Sequence, residues 1–429
     1  MVARHATAPA LMIAAPASGS GKTTVTAALA WLHRRAGRRV KVFKCGPDFL
    51  DPLLLARASG SPVDNLDLWL VGEAQCRTML CEAAATHDLV LIEAVMGLFD
   101  GEPSAAVLAQ RLGIPVLAVI DASAMAQTFG ALAHGLAHYR AGLPFHGVLA
   151  NKVAGTGHAQ MLQESVPPAD WQGWLAAGDA WPERHLGLSL PHELPGLEQR
   201  LDELADALEG QPAAALPSPV AFAADAPPAM PRRLAGRRIA VARDAAFCFI
   251  YPANLACLTA LGAELAFFSP LAHEPLPEAD AVWLPGGYPE LHGARLAAHP
   301  TLAAGLRAHH AAGRPIVAEC GGMLALAERL IVDGETLPLW GLLPGTATLH
   351  SRLTALGLQQ LDLGEGVLRG HTFHYSTLTT PLPALAHATP CRLGSAGEPV
   401  YRLGSLTASY LHLWFMSHPA AAATLFGAR

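Results

Sequence analysis

The sequence predicts an α/β protein with two domains, each built on a parallel sheet covered by helices. The chain has 429 residues, which exceeds one ordinary core, because single domains cluster around 100 to 200 residues. Strand-length apolar runs alternate with stretches of helical periodicity, and this alternation is typical of parallel sheets. Hydrophobic residues make up 52% and charged residues 15%, a balance that favours packed cores over disorder.

The first half of the chain begins with a strand, a Gly/Ser turn and a helix. The apolar run 10–15 predicts the strand, and the spacing over 23–35 predicts the helix. The apolar start resembles a signal peptide, but it runs directly into the Gly-rich turn that cleavage would destroy, so we interpret it as a strand. Further strands are predicted over 39–43, 89–93, 115–121 and 145–151.

A proline- and alanine-rich segment separates the two halves. Its composition lacks periodicity and is typical of a linker, so the predicted domains are 1–209 and 236–429, joined by 210–235. The second half repeats the α/β pattern without repeating a motif. Its predicted strands are 238–243, 264–268, 281–284, 315–319, 370–375 and 406–411.

Charge and cysteine usage exclude several classes of protein. A net charge of -6 gives no electrostatic reason to expect a nucleic-acid partner. The seven cysteines form no CxxC pair, which argues against structural zinc and a disulfide framework. Every apolar run is too short to cross a bilayer, and we therefore expect a cytoplasmic protein without a membrane partner.

The segment AAPASGSGKTT predicts a phosphate-binding loop between the first strand and helix. Backbone N–H groups in such a loop face a polyphosphate with the helix N-terminus behind them. Lys22 reaches the terminal phosphates in this arrangement, and Thr23 offers a hydroxyl to Mg²⁺. Pro16 stands where the strict pattern has its first glycine. The predicted nucleotide contacts are Ser18, Gly19, Ser20, Gly21, Lys22, Thr23 and Thr24.

Carboxylates follow two neighbouring strands of the predicted sheet. Asp48 and Glu93 come at the carboxyl ends, where ligands bind in open parallel sheets, and with Thr23 they predict a magnesium site beside ATP. Asp51 and Asp100 lie in the same loops, and substrate contact and simple capping remain equally open for both. Lys44 is predicted to neutralise a substrate carboxylate or a transferring phosphoryl group.

A second predicted site is a thiol in the other half. Cys320 lies between a strand and a helix in RPIVAECGGMLAL, where a tight turn exposes the nucleophile and the helix dipole stabilises a thiolate. The backbone amides of Gly286, Gly287 and Gly321 are predicted to hold an oxyanion and the substrate. His412 is the predicted base, and His371 and His374 are competing candidates.

These motifs together resemble the cobyrinate or hydrogenobyrinate a,c-diamide synthase family of cobalamin biosynthesis. The resemblance covers about 400 residues and is carried by APASGSGKTT, KCGPDFLDP, EAVMGLFDG, LPGGYPELH, AECGGML, GHTFHYS and SYLH. It implies a P-loop domain similar to dethiobiotin synthetase and a class I glutamine amidotransferase domain. It also implies Cys320 as the nucleophile, His412 as its activating residue and Asn151 as a contact of the nucleotide base.

The resemblance implies a carbon-nitrogen ligase that amidates the a and c acetate groups of a corrinoid precursor. ATP forms an acyl phosphate, and ammonia released internally from L-glutamine displaces the phosphate. Hydrogenobyrinic acid is favoured over cobyrinic acid. Another tetrapyrrole, such as a nickel sirohydrochlorin, and a regulatory ATPase are the alternatives, and a homodimer is the working expectation for assembly.

The sequence departs from the family pattern at two positions. Trp414 stands two residues after His412, where triad amidotransferases have Glu, which favours a Cys-His dyad over a triad. Thr372 stands where many relatives have an acid, so glutamine binding here is expected to use other groups.

Overall fold

The structure is a computed structural model that describes residues 4–179, 181–184, 187–188, 190–226, 229–392 and 396–428. The chain divides into two compact units, Met1–Pro227 and Pro228–Arg429. Both units are α/β, as the sequence predicts. The exact domain boundaries stay a prediction.

The first unit alternates strands and helices along the chain. Its strands are β1 (Arg4–Ala14), β2 (Val40–Cys45), β3 (Asp64–Leu66), β4 (Leu89–Glu93), β5 (Val116–Asp121), β6 (Phe145–Val153), β7 (Trp171–Ala176), β8 (Glu183–Arg184), β9 (Gly187–Leu188) and β10 (Pro219–Ala224). Its α-helices are α1 (Lys22–Arg35), α2 (Leu50–Ser59), α3 (Glu73–Thr86), α4 (Ala105–Leu112), α5 (Thr128–His138), α6 (Thr156–Glu164) and α7 (Leu197–Leu208). A π-helix covers Leu68–Gly72, and 3-10 turns cover Pro191–Glu193 and Pro212–Ala214.

The main sheet of the first unit has the strand order β3-β2-β4-β1-β5-β6-β7, and all of these strands run parallel. Strand β4 is buried at every position and β5 at all but its last, as expected where helices cover both faces of a parallel sheet. The loops after β1, β2 and β4 therefore meet at one edge, which is where the predicted phosphate and metal residues lie.

Part of the predicted linker belongs instead to the sheet of the first unit. Strand β10 pairs antiparallel with the first half of β1, from Arg4 opposite Ala224 to Pro9 opposite Pro219. Proline removes one ladder donor but is tolerated at the start of a strand and at a sheet edge. Phe222 and Ala224 of β10 are buried, while the residue between them is exposed. The segment therefore forms a strand despite its proline content, because one of its faces covers apolar surface.

The second unit contains more and shorter strands. They are β11 (Arg238–Ala242), β12 (Glu264–Phe268), β13 (Ala281–Leu284), β14 (Ile316–Glu319), β15 (Ala327–Val332), β16 (Glu335–Pro338), β17 (Leu343–Leu349), β18 (Ala355–Asp362), β19 (Val367–His374), β20 (Ser376–Thr379), β21 (Ala384–His387), β22 (Thr389–Pro390), β23 (Pro399–Leu403), β24 (Leu406–Ser409) and β25 (His412–Trp414). Its α-helices are α8 (Pro252–Ala260), α9 (Gly293–Ala297), α10 (Pro300–Ala311), α11 (Gly321–Leu326) and α12 (Pro419–Leu425), with 3-10 turns at Pro289–His292 and Phe415–Ser417.

The central sheet of this unit has the order β12-β11-β13-β14-β24-β23-β21. It is parallel from β12 to β24, and then antiparallel through β23 and β21. Two smaller sheets, β16-β15-β17-β20 and β22-β18-β19-β25, complete the unit. The carboxyl end of β14 and strand β25 carry the predicted thiol and base.

Three strands match their predicted bounds at both ends. The predictions 89–93, 264–268 and 281–284 agree with β4, β12 and β13 at both ends. The predicted run 406–411 ends earlier, at Ser409, and His412 begins a separate strand. Every helix among the described residues is too short or too polar to cross a membrane.

Candidate functional site

The predicted phosphate loop connects β1 to α1 and turns through two left-handed glycines. Gly19 has φ 78° and Gly21 has φ 97°, conformations that glycine adopts without steric cost. A Cβ on Gly21 would overlap the Asn151 side chain, whose Nδ2 donates to the carbonyl of Ser20 at 3.0 Å. Asn151 therefore supports the loop backbone, and its role at the nucleotide base stays a prediction.

Lys22 is buried beneath this loop and bridges it to the loop after β4. Its Nζ donates to the carbonyl of Ala17 at 3.3 Å and to the carbonyl of Met96 at 2.7 Å. Burial, followed by the nearby Lys44 charge, lowers the pKa of Lys22. The Thr24 hydroxyl accepts from Trp181 Nε1 at 3.0 Å. The ammonium thus lies at the phosphate loop, and its contact with a phosphate stays a prediction.

The carboxylates predicted after β2 and β4 gather around Lys44. Its Nζ lies 2.5 Å from Asp51 Oδ2, 2.8 Å from Glu93 Oε1 and 3.9 Å from Asp48 Oδ2. Burial opposes the charge of Lys44, but the three carboxylates outweigh it and raise its pKa well above the ordinary value. Lys44, predicted to contact substrate, is thus ion-paired within the site.

The pKa values of the three acids are set mainly by the balance of burial and the Lys44 charge. Burial and the Asp51 charge raise the pKa of Asp48 to about 8. Burial also raises the pKa of Glu93. The pKa of Asp51 is lowered, because the Lys44 ammonium outweighs the effect of burial. The cluster carries more carboxylates than Lys44 alone neutralises, and it therefore favours a further cation.

Two features of the Glu93 carboxylate bear on the predicted metal site. Thr23 Oγ1 donates to Glu93 Oε1 at 2.8 Å, which brings two of the three predicted ligands together. Glu93 Oε2 is buried and has no hydrogen-bond partner among the described residues. Within those residues, no three His, Cys, Asp or Glu side chains cluster as a metal site on their own. A cation here would need the Thr23 hydroxyl and oxygens from the nucleotide.

Asp100 caps its own turn in the structure. Its Oδ2 accepts from the Gly97 backbone N–H at 2.9 Å, and the adjacent Leu98 N–H donates to the carbonyl of Ala15 at 2.8 Å. Asp48 caps the start of α2 in a similar way, accepting from the Leu50 N–H at 2.9 Å. The Leu98–Ala15 bond holds the loop after β4 against the start of the phosphate loop, and the Gly97–Asp100 bond gives Asp100 a capping contact.

One residue of this site was not predicted. Lys152 follows Asn151 with φ 57°, and its Nζ donates to the carbonyl of Gly19 at 3.2 Å and to Asp121 Oδ2 at 2.6 Å. It thereby ties the phosphate loop to the end of β5. The asparagine-lysine pair at a strand end was the available signal, but only the three-dimensional register links it to Gly19.

Cys320 occupies a strained turn between β14 and α11. Its backbone has φ 46° and ψ −109°, a region that is costly for a residue with a side chain and that marks functional turns when it occurs. The Cys320 N–H donates to the carbonyl of Ser409 at 2.8 Å. Since Ser409 also pairs with Glu319, the sheet brings the thiol close to the end of β24.

The predicted glycines fill the space around the thiol and the base. A Cβ on Gly286 would overlap the His412 imidazole. A Cβ on Gly321 would lie 2.9 Å from the Gly287 backbone nitrogen, so these two glycines approach each other without room for a side chain. The structure thus places Gly286 and Gly287 between the residue after Cys320 and the imidazole of His412.

The acidity of the thiol differs from the sequence-based expectation. The helix dipole was expected to stabilise a thiolate, but burial, followed by the charge of Glu290, raises the pKa of Cys320. Helix α11 is only six residues long, and its field does not offset the loss of water. Burial lowers the pKa of His412 well below its ordinary value, so the site holds a neutral thiol and a neutral imidazole.

The two competing histidines lie on β19 and have different partners. His371 stacks on His412. His374 Nε2 lies 3.0 Å from Glu398 Oε1, and the Thr372 hydroxyl donates to the same oxygen at 2.9 Å. Glu398 therefore places a carboxylate beside Thr372, the position where the sequence lacks an acid.

Glu319 is a second residue that the sequence did not single out. Its carboxyl is buried, accepts from the Leu413 N–H at 3.0 Å and from Trp283 Nε1 at 3.1 Å, and has a pKa raised to about 8 by burial. It connects β14, which ends one residue before Cys320, to β25, which begins at His412. Its position immediately before the cysteine was the only sequence signal.

Two protein-family models match this chain, one in each half. The model of the CobQ/CobB/MinD/ParA nucleotide binding domain matches residues 11–168. The model of the CobB/CobQ-like glutamine amidotransferase domain matches residues 238–420. The phosphate loop lies in the first match, and Cys320 and His412 lie in the second.

The chain is similar over nearly its whole length to proteins that are named as a,c-diamide synthases. A hydrogenobyrinate a,c-diamide synthase from Pseudomonas aeruginosa is 58% identical, with 98% of each chain covered. An enzyme of the same name from Stutzerimonas stutzeri is also 58% identical, covering 97% of this chain and 98% of that one. A cobyrinate a,c-diamide synthase from Herminiimonas arsenicoxydans is 48% identical, covering 97% of this chain and 96% of that one.

Proposed function

Because this chain belongs to the hydrogenobyrinate and cobyrinate a,c-diamide synthase family, we propose that it amidates the a and c acetate groups of hydrogenobyrinic acid. Glutamine supplies the nitrogen and ATP drives the reaction. The observation that carries the proposal is the presence of two distinct reactive centres in one chain. One is a phosphate loop beside an acid cluster, and the other is a thiol on a strained turn, linked through Gly321, Gly287 and Gly286 to the imidazole of His412.

The thiol centre releases ammonia from glutamine. Cys320 attacks the side-chain amide carbon, and its thiol proton passes to His412, which is neutral because its pKa is low. The N–H groups of Gly287 and Gly321 stabilise the oxyanion. The C–N bond then breaks, the proton returns to the leaving nitrogen, and ammonia departs from a γ-glutamyl thioester. Water hydrolyses that thioester to glutamate and restores the thiol.

The phosphate-loop centre activates the acetate. The carboxylate oxygen attacks the terminal phosphorus of ATP, ADP leaves, and the resulting acyl phosphate is displaced by ammonia to give the amide and phosphate. The loop N–H groups and Lys22 stabilise the transferring phosphoryl group. Lys22 already bridges two loops through carbonyl oxygens, and this arrangement supports its role as the group that meets the phosphates.

The residues around Glu93 fit a magnesium ion. Thr23, Asp48 and Glu93 are the proposed ligands, and the buried, unpartnered Oε2 of Glu93 supports them because a carboxylate oxygen in such a place needs a cation or donor. A bound magnesium ion would neutralise charge on the nucleotide phosphates. Asp51 pairs with Lys44 and would keep that ammonium oriented toward the incoming acetate.

Hydrogenobyrinic acid is the proposed substrate because both relatives at 58% identity carry that name, while the relative at 48% is named for cobyrinate. Purified protein with ATP, Mg²⁺ and glutamine should be offered both acids in parallel, with products counted by mass. Each acid converted to an amide lowers the mass by about one unit. Faster turnover of cobyrinic acid would overturn the substrate choice, and turnover of neither would overturn the proposal. A homodimer in the cytoplasm is proposed as well, and light scattering and cell fractionation test it.

A further inference from the structure

The base His412 has an aromatic partner directly across the strand pair that carries it. Strands β19 and β25 run antiparallel, and their register places His371 opposite His412. Cross-strand neighbours on one face have their side chains in contact. The two imidazole rings are stacked, with centroids 4.9 Å apart and planes 20° apart. Both side chains are buried.

Further aromatic residues fix this stack on either side. Tyr251 Oη lies 3.0 Å from His371 Nδ1, and the Tyr251 ring packs edge-on against Trp414 with centroids 5.0 Å apart. On the other side, the Phe249 ring lies 6.0 Å from the His412 ring at an angle of 59°. The base is therefore enclosed by rings, with the backbone of Gly286 against its edge.

Trp414 stands where the resemblance predicts a carboxylate, and it does not orient the base by a hydrogen bond. Its Nε1 is buried and has no hydrogen-bond partner among the described residues. It packs instead against Tyr251, whose hydroxyl is hydrogen-bonded to His371. The sequence position that normally holds the acid thus supports the stack from behind.

We propose that His371 is a positioning residue that orients His412 by ring stacking, in place of the missing triad carboxylate. The inference rests on the proposed roles of Cys320 and His412 in releasing ammonia from glutamine. His412 takes the thiol proton and returns it to the leaving nitrogen. His371 takes no proton in either step and acts by restricting the rotation of the His412 ring.

The electrostatics agree with a neutral stacking partner. Burial lowers the pKa of His371 to about 3, so its ring stays neutral at physiological pH. Burial is the main cause of the low pKa of His412. Two titratable groups on β19, His371 and His374, lower this pKa further. Glu290, Glu398 and Glu319 act on Cys320. A neutral ring stacked on His412 adds no charge that would stabilise its protonated form, which agrees with the low pKa of this buried imidazole.

The test is made in the full chain. It compares a variant that lacks the His371 ring with a variant that keeps a ring at this position but lacks the imidazole nitrogens. His371→Ala removes the stack. The double variant His371→Phe with Tyr251→Phe keeps a ring opposite His412 and avoids an unpaired buried hydroxyl. The readouts are kcat and KM for glutamine hydrolysis, with ammonium-supported amidation as the measure of an intact chain. His350→Ala, which removes an exposed histidine of the same unit, is the matched control.

We expect His371→Ala to lower kcat for glutamine roughly 30-fold, with KM changed by less than about threefold, because misplacement of a base affects the chemical step. The double variant should have a kcat within about threefold of that of the unsubstituted chain. The control His350→Ala should have the same kcat as the unsubstituted chain.

A double variant as slow as a correctly folded His371→Ala would overturn the inference, because the imidazole nitrogens would then be needed. Unchanged kcat in His371→Ala would also overturn it. His371→Ala could lose ammonium-supported amidation by misfolding, and the double variant then decides alone. A kcat within threefold of the unsubstituted chain supports the stacking role, and a lower kcat contradicts it. Full glutamine hydrolysis by His412→Ala would instead contradict the proposed function, so the two failures are distinguishable.

Discussion

The two reactive centres of this chain use opposite electrostatics. The phosphate-loop centre is a cluster of charges, in which Lys44 contacts Asp51 and Glu93 at 2.5 and 2.8 Å. The thiol centre is close to neutral: burial raises the pKa of Cys320 and lowers the pKa of His412. The first centre is organised by ion pairs, and the second is organised by glycine backbone and stacked rings.

The difference follows from the substrates that each centre would handle. ATP and an acetate are anions, and their reaction needs fixed positive charge balanced by acids until the substrates arrive. The side-chain amide of glutamine is neutral, and its attack by a thiol needs one proton transfer over a short distance. Substitutions at the two centres should therefore separate by nitrogen source, and the predictions below test that separation.

Removal of the thiol should give the largest effect. We expect Cys320→Ala to lower glutamine-supported amidation about 10³-fold or more, since no other group forms the thioester, and to leave ammonium-supported amidation within about twofold. Product formation with each nitrogen source measures both. Cys391→Ala, which removes an exposed thiol, is the control and should retain both activities. Equal loss with both nitrogen sources would contradict two separate centres.

Loss of the phosphate-loop ammonium should act on both nitrogen sources together. Lys22→Met keeps the aliphatic stem but removes the charge, and we expect amidation with glutamine and with ammonium to fall about 10² to 10³-fold. Lys41→Met is a matched control on β2, where the lysine contacts Asp64 at 2.6 Å away from the loop. A selective loss of the glutamine reaction in Lys22→Met would count against its assigned role.

A single methyl group at Gly286 should test how closely the thiol centre is packed. In Gly286→Ala the Cβ overlaps the His412 ring, and we expect kcat for glutamine hydrolysis to fall about 10²-fold while ammonium-supported amidation persists. Gly305→Ala in α10 meets only ordinary contacts with Leu276, the closest at 3.4 Å, and should be neutral. Normal glutamine hydrolysis in Gly286→Ala would show that the ring has room to move.

The smallest predicted effect concerns pH. A base with a depressed pKa stays neutral as the pH falls through 6.5, so kcat/KM for glutamine should change by less than about twofold between pH 7.5 and 6.5. The decline should begin only at lower pH, where His412 becomes protonated. Loss of half the activity near pH 6.5 would indicate an ordinary imidazole and would contradict the low pKa. The same pH series with ammonium as the nitrogen source separates this decline from pH effects on the phosphate-loop centre.

Local sequence was sufficient to predict the residues whose roles depend on neighbours in the chain. The phosphate loop, the buried strand β4 and the strand-to-helix turn at Cys320 all follow from short patterns. Contacts made by register were not predictable in this way. Lys152 reaches Gly19, and Glu319 reaches Leu413, only because distant strands pair in a particular order.

The contrast between local patterns and contacts of the folded unit also explains two wrong predictions, the linker at β10 and the acidic thiol of Cys320. The proline- and alanine-rich composition around β10 predicts a linker, and only the pairing of β10 with β1 reveals a strand. The thiol was expected to be acidic because a helix follows it, but burial depends on the whole unit and raises its pKa. The position of His371 opposite His412 is likewise a property of the antiparallel register.

The most direct test follows the nitrogen atom through both centres. Hydrogenobyrinic acid, ATP and Mg²⁺ would be supplied with glutamine labelled with ¹⁵N at the side-chain amide, and the product analysed by mass spectrometry. We predict a product about two mass units heavier than that made from unlabelled glutamine, one for each acetate amidated, and no labelled product from Cys320→Ala. A diamide that lacks the label, or labelled diamide from Cys320→Ala, would contradict the account.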